Sequence, residues 1–221
     1  LDSAANKRGQ PNENFARELM ELFTLGVGHY TEQDVKEAAR AFTGWSLDRA
    51  SYEFRFYPFL HDDGEKQVLG RSGTLDGGDV LEILLAQPAT AEFVVTKLWR
   101  EFVSPRPPAS EGKRLAGVLR AARYDIKPVL RALFLSDAFY AQENRAALIK
   151  SPVELLVGTA RQFGIGGLDP RLYALAGRQL GQDIFAPPNV KGWPGGEDWI
   201  NSTTLLGRKQ VLARLFRAEE M

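Results

Sequence analysis

The stretch that decides the fold is Asn12–Trp45, N-E-N-F-A-R-E-L-M-E-L-F-T-L-G-V-G-H-Y-T-E-Q-D-V-K-E-A-A-R-A-F-T-G-W. Phe15, Leu19, Leu22 and Phe23 recur at i, i+4, i+7 and i+8, which predicts one apolar helical stripe, while Glu13, Arg17 and Glu21 stack on another face. Gly26 and Gly28 end that helix. Thr31 followed three residues later by Asp34 predicts a capping box built with the shorter acid, and Val35, Ala38, Ala39 and Phe42 supply the inward face of a second helix. Gly44 is its expected stop.

Outward from this block the rhythm changes. Tyr52, Phe54 and Phe56 alternate with Glu53, Arg55 and Tyr57, so the strand Tyr52–Tyr57 is expected to pair antiparallel with Lys66–Leu69 across an Asp62-Asp63-Gly64 turn. Helical periodicity resumes at Gly78 and continues from Pro88 through Phe93, Val94, Leu98, Trp99 and Phe102 until Pro105. Asp125, Ser151-Pro152-Val153-Glu154 and Asp169-Pro170 each announce a further helix through a cap and, in the last two, a first-turn proline. Asp183 to Trp199 is rich in proline, glycine and tryptophan, and a final helix follows from about Ser202. The expected fold is mainly α: a multi-helical single domain over residues 12–221, with a small β-hairpin insertion and one long loop before the last helix. Residues 1–11 are small, polar and aperiodic, and are expected to form a loose lead-in.

The chain has 221 residues, 44% hydrophobic and 25% charged, enough for a substantial core. Lys+Arg and Asp+Glu both total 28, so no global field attracts nucleic acid or an anionic membrane. The absence of cysteine excludes disulfides, thiolate metal sites and a cysteine nucleophile. No apolar run approaches the ~20 residues of a membrane-spanning helix. No P-loop, dinucleotide fingerprint or G-x-S-x-G elbow occurs, so no cofactor is expected. Leu1-Asp2-Ser3 reads as a processed, truncated or engineered start.

Few residues invite chemistry. His61 lies in F-L-H-D-D-G-E-K, where an imidazole beside Asp62 and Asp63 is a candidate base or metal ligand; the alternative is a turn whose acids cap backbone N–H groups, with Gly64 at positive φ. Asp76-Gly77-Gly78-Asp79 offers oxygen ligands, or else a helix cap. Glu18 and Glu21 form a potential carboxylate pair, with Arg17 pointing instead to a surface ion-pair ladder. With only His29 and His61 in the chain, a histidine-rich zinc site is excluded. P-P-N-V-K-G-W-P-G-G-E-D-W-I-N, Pro187–Asn201, sets Trp193 and Trp199 among Asn189, Glu197 and Asn201: a stacking platform with adaptable polar groups, or two indoles that plug the loop onto the helices.

The Asn12–Trp45 block, the H-D-x-G-x-K stretch at His61, Tyr124-Asp-Ile-Lys-Pro128, Lys150-Ser-Pro-Val-Glu154 and Gly192-Trp-Pro-Gly-Gly196 occur in an order that resembles the bacterial family catalogued as domain of unknown function 1800. The resemblance implies no established activity. It implies that these residues form roughly the C-terminal half of a longer protein, so the N-terminal half, or a second copy, is an expected partner. It also implies an extracytoplasmic setting. Two functions are in view. One is a non-catalytic binding or assembly domain that takes a saccharide or peptide on Trp193, Trp199, Asn189 and Asn201. The other is a hydrolase built on His61, Asp62 and Glu18, assisted by a metal if His61, Asp62, Asp76 or Asp79 hold one.

Overall fold

The computed structural model describes residues 5–48 and 50–217. The chain is mainly α-helical, with two short antiparallel hairpins among the described residues. It divides into two compact units: Leu1–Glu101 with Arg106–Phe139, and Phe102–Pro105 with Tyr140–Met221.

In the first unit, α1 (Glu13–Glu18) starts at Asn12, whose side chain accepts from the Asn14 N–H. A π turn, Leu19–Thr24, continues it. Helix α2 (Glu32–Ala41) opens on the expected capping box, with Thr31 and Asp34 exchanging side chain to backbone bonds. Its inward residues Val35, Ala38, Ala39 and Phe42 are fully buried with Met20, Val68, Val80 and Leu84. Removing a ring the size of Phe42 from water stabilises the unit by about 2–3 kcal/mol. The ring meets Phe15 and Trp45 edge-on at 5.0 and 5.1 Å. Four short strands follow, β1 (Trp45–Leu47), β2 (Phe54–Phe56), β3 (Lys66–Val68) and β4 (Arg71–Gly73). Helices α3 (Gly77–Ala86), α4 (Pro88–Phe102), α5 (Ala109–Ala121) and α6 (Ile126–Phe134) continue the chain to the short α7 (Asp137–Tyr140).

The second unit contains α8 (Pro152–Phe163), α9 (Pro170–Gln179) and α10 (Ser202–Arg217). Ser151 and Glu154 form the expected capping box with Pro152 at the first position, and Gly164 closes α8 in the left-handed conformation that lacks a penalty only for glycine. Asp169 caps α9, its side chain accepting from the Arg171 N–H, with Pro170 at the first position. One apolar cluster buries Ala160, Ile165 and Leu215, with Leu168 and Tyr173 against it, and Leu156 and Leu180 are buried in the same unit.

Three expectations change. First, β2 does not pair with β3. It pairs with β1, Trp45 opposite Phe56, and β3 pairs with β4, Lys66 opposite Gly73. Alternation identified the strands but missed the partners, because the second reversal is the two-residue Leu69-Gly70 turn, with φ of 47° and 83°. Positive φ at both turn positions matches the right-handed strand twist, and a leucine there hides the usual Asn-Gly signature. Second, the apolar stripe at Phe15–Phe23 breaks at the π turn, where the N–H groups of both Leu25 and Gly26 donate to the Met20 carbonyl. The wider turn shifts the inward face, so Met20 is sealed and Phe23 is 55% exposed. Third, the lead-in is tied at Asn6, which is buried. Its amide donates to the Ala39 carbonyl at 2.8 Å and its Oδ1 accepts from the Asn12 N–H at 2.8 Å. Polar bonds, not apolar area, hold that point.

Candidate functional site

The His61 to Lys66 stretch is built around α2. The Thr43 hydroxyl, fully buried, donates to the Arg40 carbonyl at 2.6 Å and accepts from the Asp62 N–H at 2.8 Å. His61 is buried, with Nδ1 2.9 Å from the Thr43 carbonyl. A carbonyl only accepts, so Nδ1 carries the hydrogen and Nε2 holds the lone pair in the neutral ring. The Phe56 ring covers the imidazole edge-on, centroids 5.5 Å apart.

Asp62 lies against Arg40, Oδ2 to Nε 2.9 Å and Oδ1 to Nη2 3.2 Å. The guanidinium holds the carboxyl down to about 2, with the Gly64 N–H adding to the effect. Arg40 also donates to Glu37 at 2.8 Å and to the Glu65 carbonyl at 3.1 Å. Gly64 is not a positive-φ turn residue here. A Cβ there would stand 2.8 Å from Arg40 Nη2 and 3.0 Å from Asp62 Oδ1, so a side chain at this position would push on the Arg40–Asp62 pair. Lys66 is buried, its Nζ donating to the Gly64 carbonyl at 2.9 Å, and burial pushes its pKa down. Every polar residue of H-D-x-G-x-K therefore has an internal bond. Arg40 and Thr43, absent from the sequence reading of this site, organise it; their periodic positions in α2 and its end gave no sign, since their partners lie about twenty residues on.

The other acidic candidates are also engaged or apart. Asp76 and Asp79 form the capping box of α3, each accepting the other's backbone N–H at 2.9–3.0 Å. Glu18 lies half-buried at the end of α1, while Glu21 falls in the π turn and accepts from the Tyr30 hydroxyl at 3.4 Å. Arg17 bridges Glu13 and Glu32. No group of three or more metal-competent side chains converges among the described residues. No helix among them is long and apolar enough to cross a membrane.

The loop between α9 and α10 is fixed from its end. Trp199 is buried and closes a 3-10 turn, Gly196–Trp199; its carbonyl accepts from the Thr204 hydroxyl at 2.9 Å. Asn201 caps α10, its Oδ1 accepting from the Thr204 N–H at 2.9 Å. Asn189 is exposed and closes a local turn on the Lys191 N–H. Trp193 is partly buried. The sequence reading missed two residues of the same loop, Phe185 at 96% and Val190 at 69% exposure. Phe185 also stands at φ 68°, a conformation disfavoured for a bulky residue. The available signal was an apolar residue in an aperiodic Pro/Gly loop, where no helical face calls for it.

The profile of the family described as Protein of unknown function (DUF1800) matches residues 1–220, and the chain belongs to that family. No curated protein and no solved structure matches it.

Proposed function

We propose that the chain is a non-catalytic binding or assembly domain of an exported bacterial protein, and that the loop from Asp183 to Trp199 is its recognition surface. The observation that carries this reading is Phe185, 96% exposed on a left-handed backbone. A large apolar ring held outward at a conformational cost of about 1–3 kcal/mol is a feature that stability alone selects against. Trp199 supports the reading by burying the end of the loop, while Trp193 in the same loop keeps some exposed surface. An indole of this kind stacks on a sugar ring or an apolar peptide side chain. Phe185 and Val190 favour the peptide, either from a partner or from another part of the longer protein that the family resemblance implies. The extracytoplasmic setting rests on that resemblance.

Sedimentation velocity over a concentration series, with calorimetric titration of chito-oligosaccharides and of hydrophobic peptides, tests the proposal on wild type and on the Phe185→Ala, Trp193→Ala double variant. Self-association or ligand heat that the double variant lacks supports the loop. Association or binding of equal strength in both proteins removes it.

The hydrolase reading rests on one observation, the imidazole geometry. A backbone carbonyl on Nδ1–H leaves Nε2 as a base or metal ligand. Titration with divalent ions, wild type against His61→Ala, tests the metal-assisted form; binding lost with the imidazole favours it, and equal binding removes His61 as a ligand.

A further inference from the structure

Arg208, on α10, is 8% exposed. Its Nη2 donates to the Lys150 carbonyl at 2.9 Å, one residue before the Ser151 cap of α8. Its Nε is buried and has no partner among the described residues. No carboxylate of the described residues forms an ion pair with it, and burial alone acts on its pKa, pushing it down. A guanidinium is a five-donor cation that stays protonated, and enclosing it without a counter-charge is costly.

The surroundings raise that cost. The N-terminal end of a helix carries partial positive charge, so α8 places a second positive group beside the guanidinium. The side-chain acceptors at this helix end are engaged with its own backbone: Glu154 Oε2 accepts from the Ser151 N–H at 2.7 Å, Ser151 Oγ from the Glu154 N–H at 3.2 Å, and Gln182 Oε1 from the Val153 N–H at 2.9 Å. They bond the backbone N–H groups of the helix end, and no bond among the described residues joins any of them to Arg208.

We propose that Arg208, beside the N-terminal end of α8, forms a binding site for a small oxyanion, a carboxylate or phosphate group. Such a group supplies the missing charge and accepts in parallel from two guanidinium N–H groups, a geometry that an ammonium does not reproduce. The site lies apart in sequence from the Asp183–Trp199 loop and does not depend on that loop's role.

The test is thermal unfolding and isothermal calorimetry of the full chain against sodium phosphate and sodium acetate, with ionic strength held constant by sodium chloride. Wild type should show a saturable rise in Tm and a saturable heat with at least one anion, and the stronger of the two identifies the group. Arg208→Met should lose the saturable component and, in chloride alone, unfold no lower than wild type. Arg208→Lys should weaken half-saturation about tenfold. Arg161→Gln, an exposed arginine on α8, should respond as wild type does. An identical saturable response in Arg208→Met, or a rise in Tm that never saturates and is shared by every variant, overturns the site. If Arg208→Met does not fold, Arg208→Lys decides, and an unchanged half-saturation overturns the proposal.

Discussion

Arg40 and Asp62, 22 residues apart in sequence, are joined by two bonds of 2.9 and 3.2 Å that fasten the His61 to Lys66 stretch to α2. Their side chains are 28% and 21% exposed, so water screens the pair only in part. The carboxyl lies near 2 in the fold against an ordinary 3.8, and a depressed acid stabilises the folded state above its unfolded pKa. That contribution, about 1–2 kcal/mol after screening, should be complete above pH 4 and lost as pH falls from about 4 to about 2. Urea midpoints measured from pH 7 to pH 2 should show this loss in wild type. Asp62→Asn should start lower at pH 7 and fall less steeply; parallel curves would show that the pair contributes nothing.

Thr43 should matter to stability more than its size suggests. Thr43→Val keeps the volume but removes the acceptor of the Asp62 N–H and the donor to the Arg40 carbonyl. Both lie at a fully buried side chain, so the cost should be about 1–3 kcal/mol. Thr43→Ser retains the hydroxyl and should recover most of it. A Val variant with the wild-type denaturation midpoint would mean that water or a backbone shift replaces the hydroxyl.

Asp34 and Ser151 both sit in capping boxes, yet their removal should differ. Ser151→Ala removes a cap and should cost about 1 kcal/mol. Asp34 also accepts from the Leu69 N–H at 2.7 Å, holding the left-handed leucine of the β3–β4 turn. Asp34→Ala should therefore cost about 2–3 kcal/mol, the cap plus an unmet charged hydrogen bond. Equal losses in the two variants would count against a role for Asp34 in the turn.

This contrast explains what was legible beforehand. Thr31, Asp76, Asp125, Ser151 and Asp169 all cap the helices assigned to them, since a cap and the N–H it satisfies lie within a few residues. Strand partners and the Arg40–Asp62 pair were hidden because local pattern carries no information about what lies opposite. The Leu69 turn was hidden because a distant carboxylate, not a glycine at that position, secures its backbone. At the loop before α10 the sequence named Trp193 and Trp199 alike; only packing distinguishes them, one partly buried and one sealed.

That distinction gives the last expected result. Four tryptophans are present, and Trp99 at 0% and Trp199 at 6% exposure are shielded, while Trp45 and Trp193 are partly buried, each with some exposed surface. Iodide reaches only accessible indoles, so quenching in wild type should come from Trp45 and Trp193. Trp193→Phe should remove part of the quenchable emission and shift the unfolding midpoint less than Trp199→Ala, because an aromatic ring still fills the partly buried position. Trp199→Ala should do the reverse: it empties a sealed position, costs about 3–5 kcal/mol, and lets the loop open around Phe185 and Trp193. A partner that reads the loop should then lose affinity for Trp199→Ala even though that ring never touches it. If Trp193→Phe leaves quenching unchanged, the indole is not accessible, and the recognition surface contracts to Phe185 and Val190.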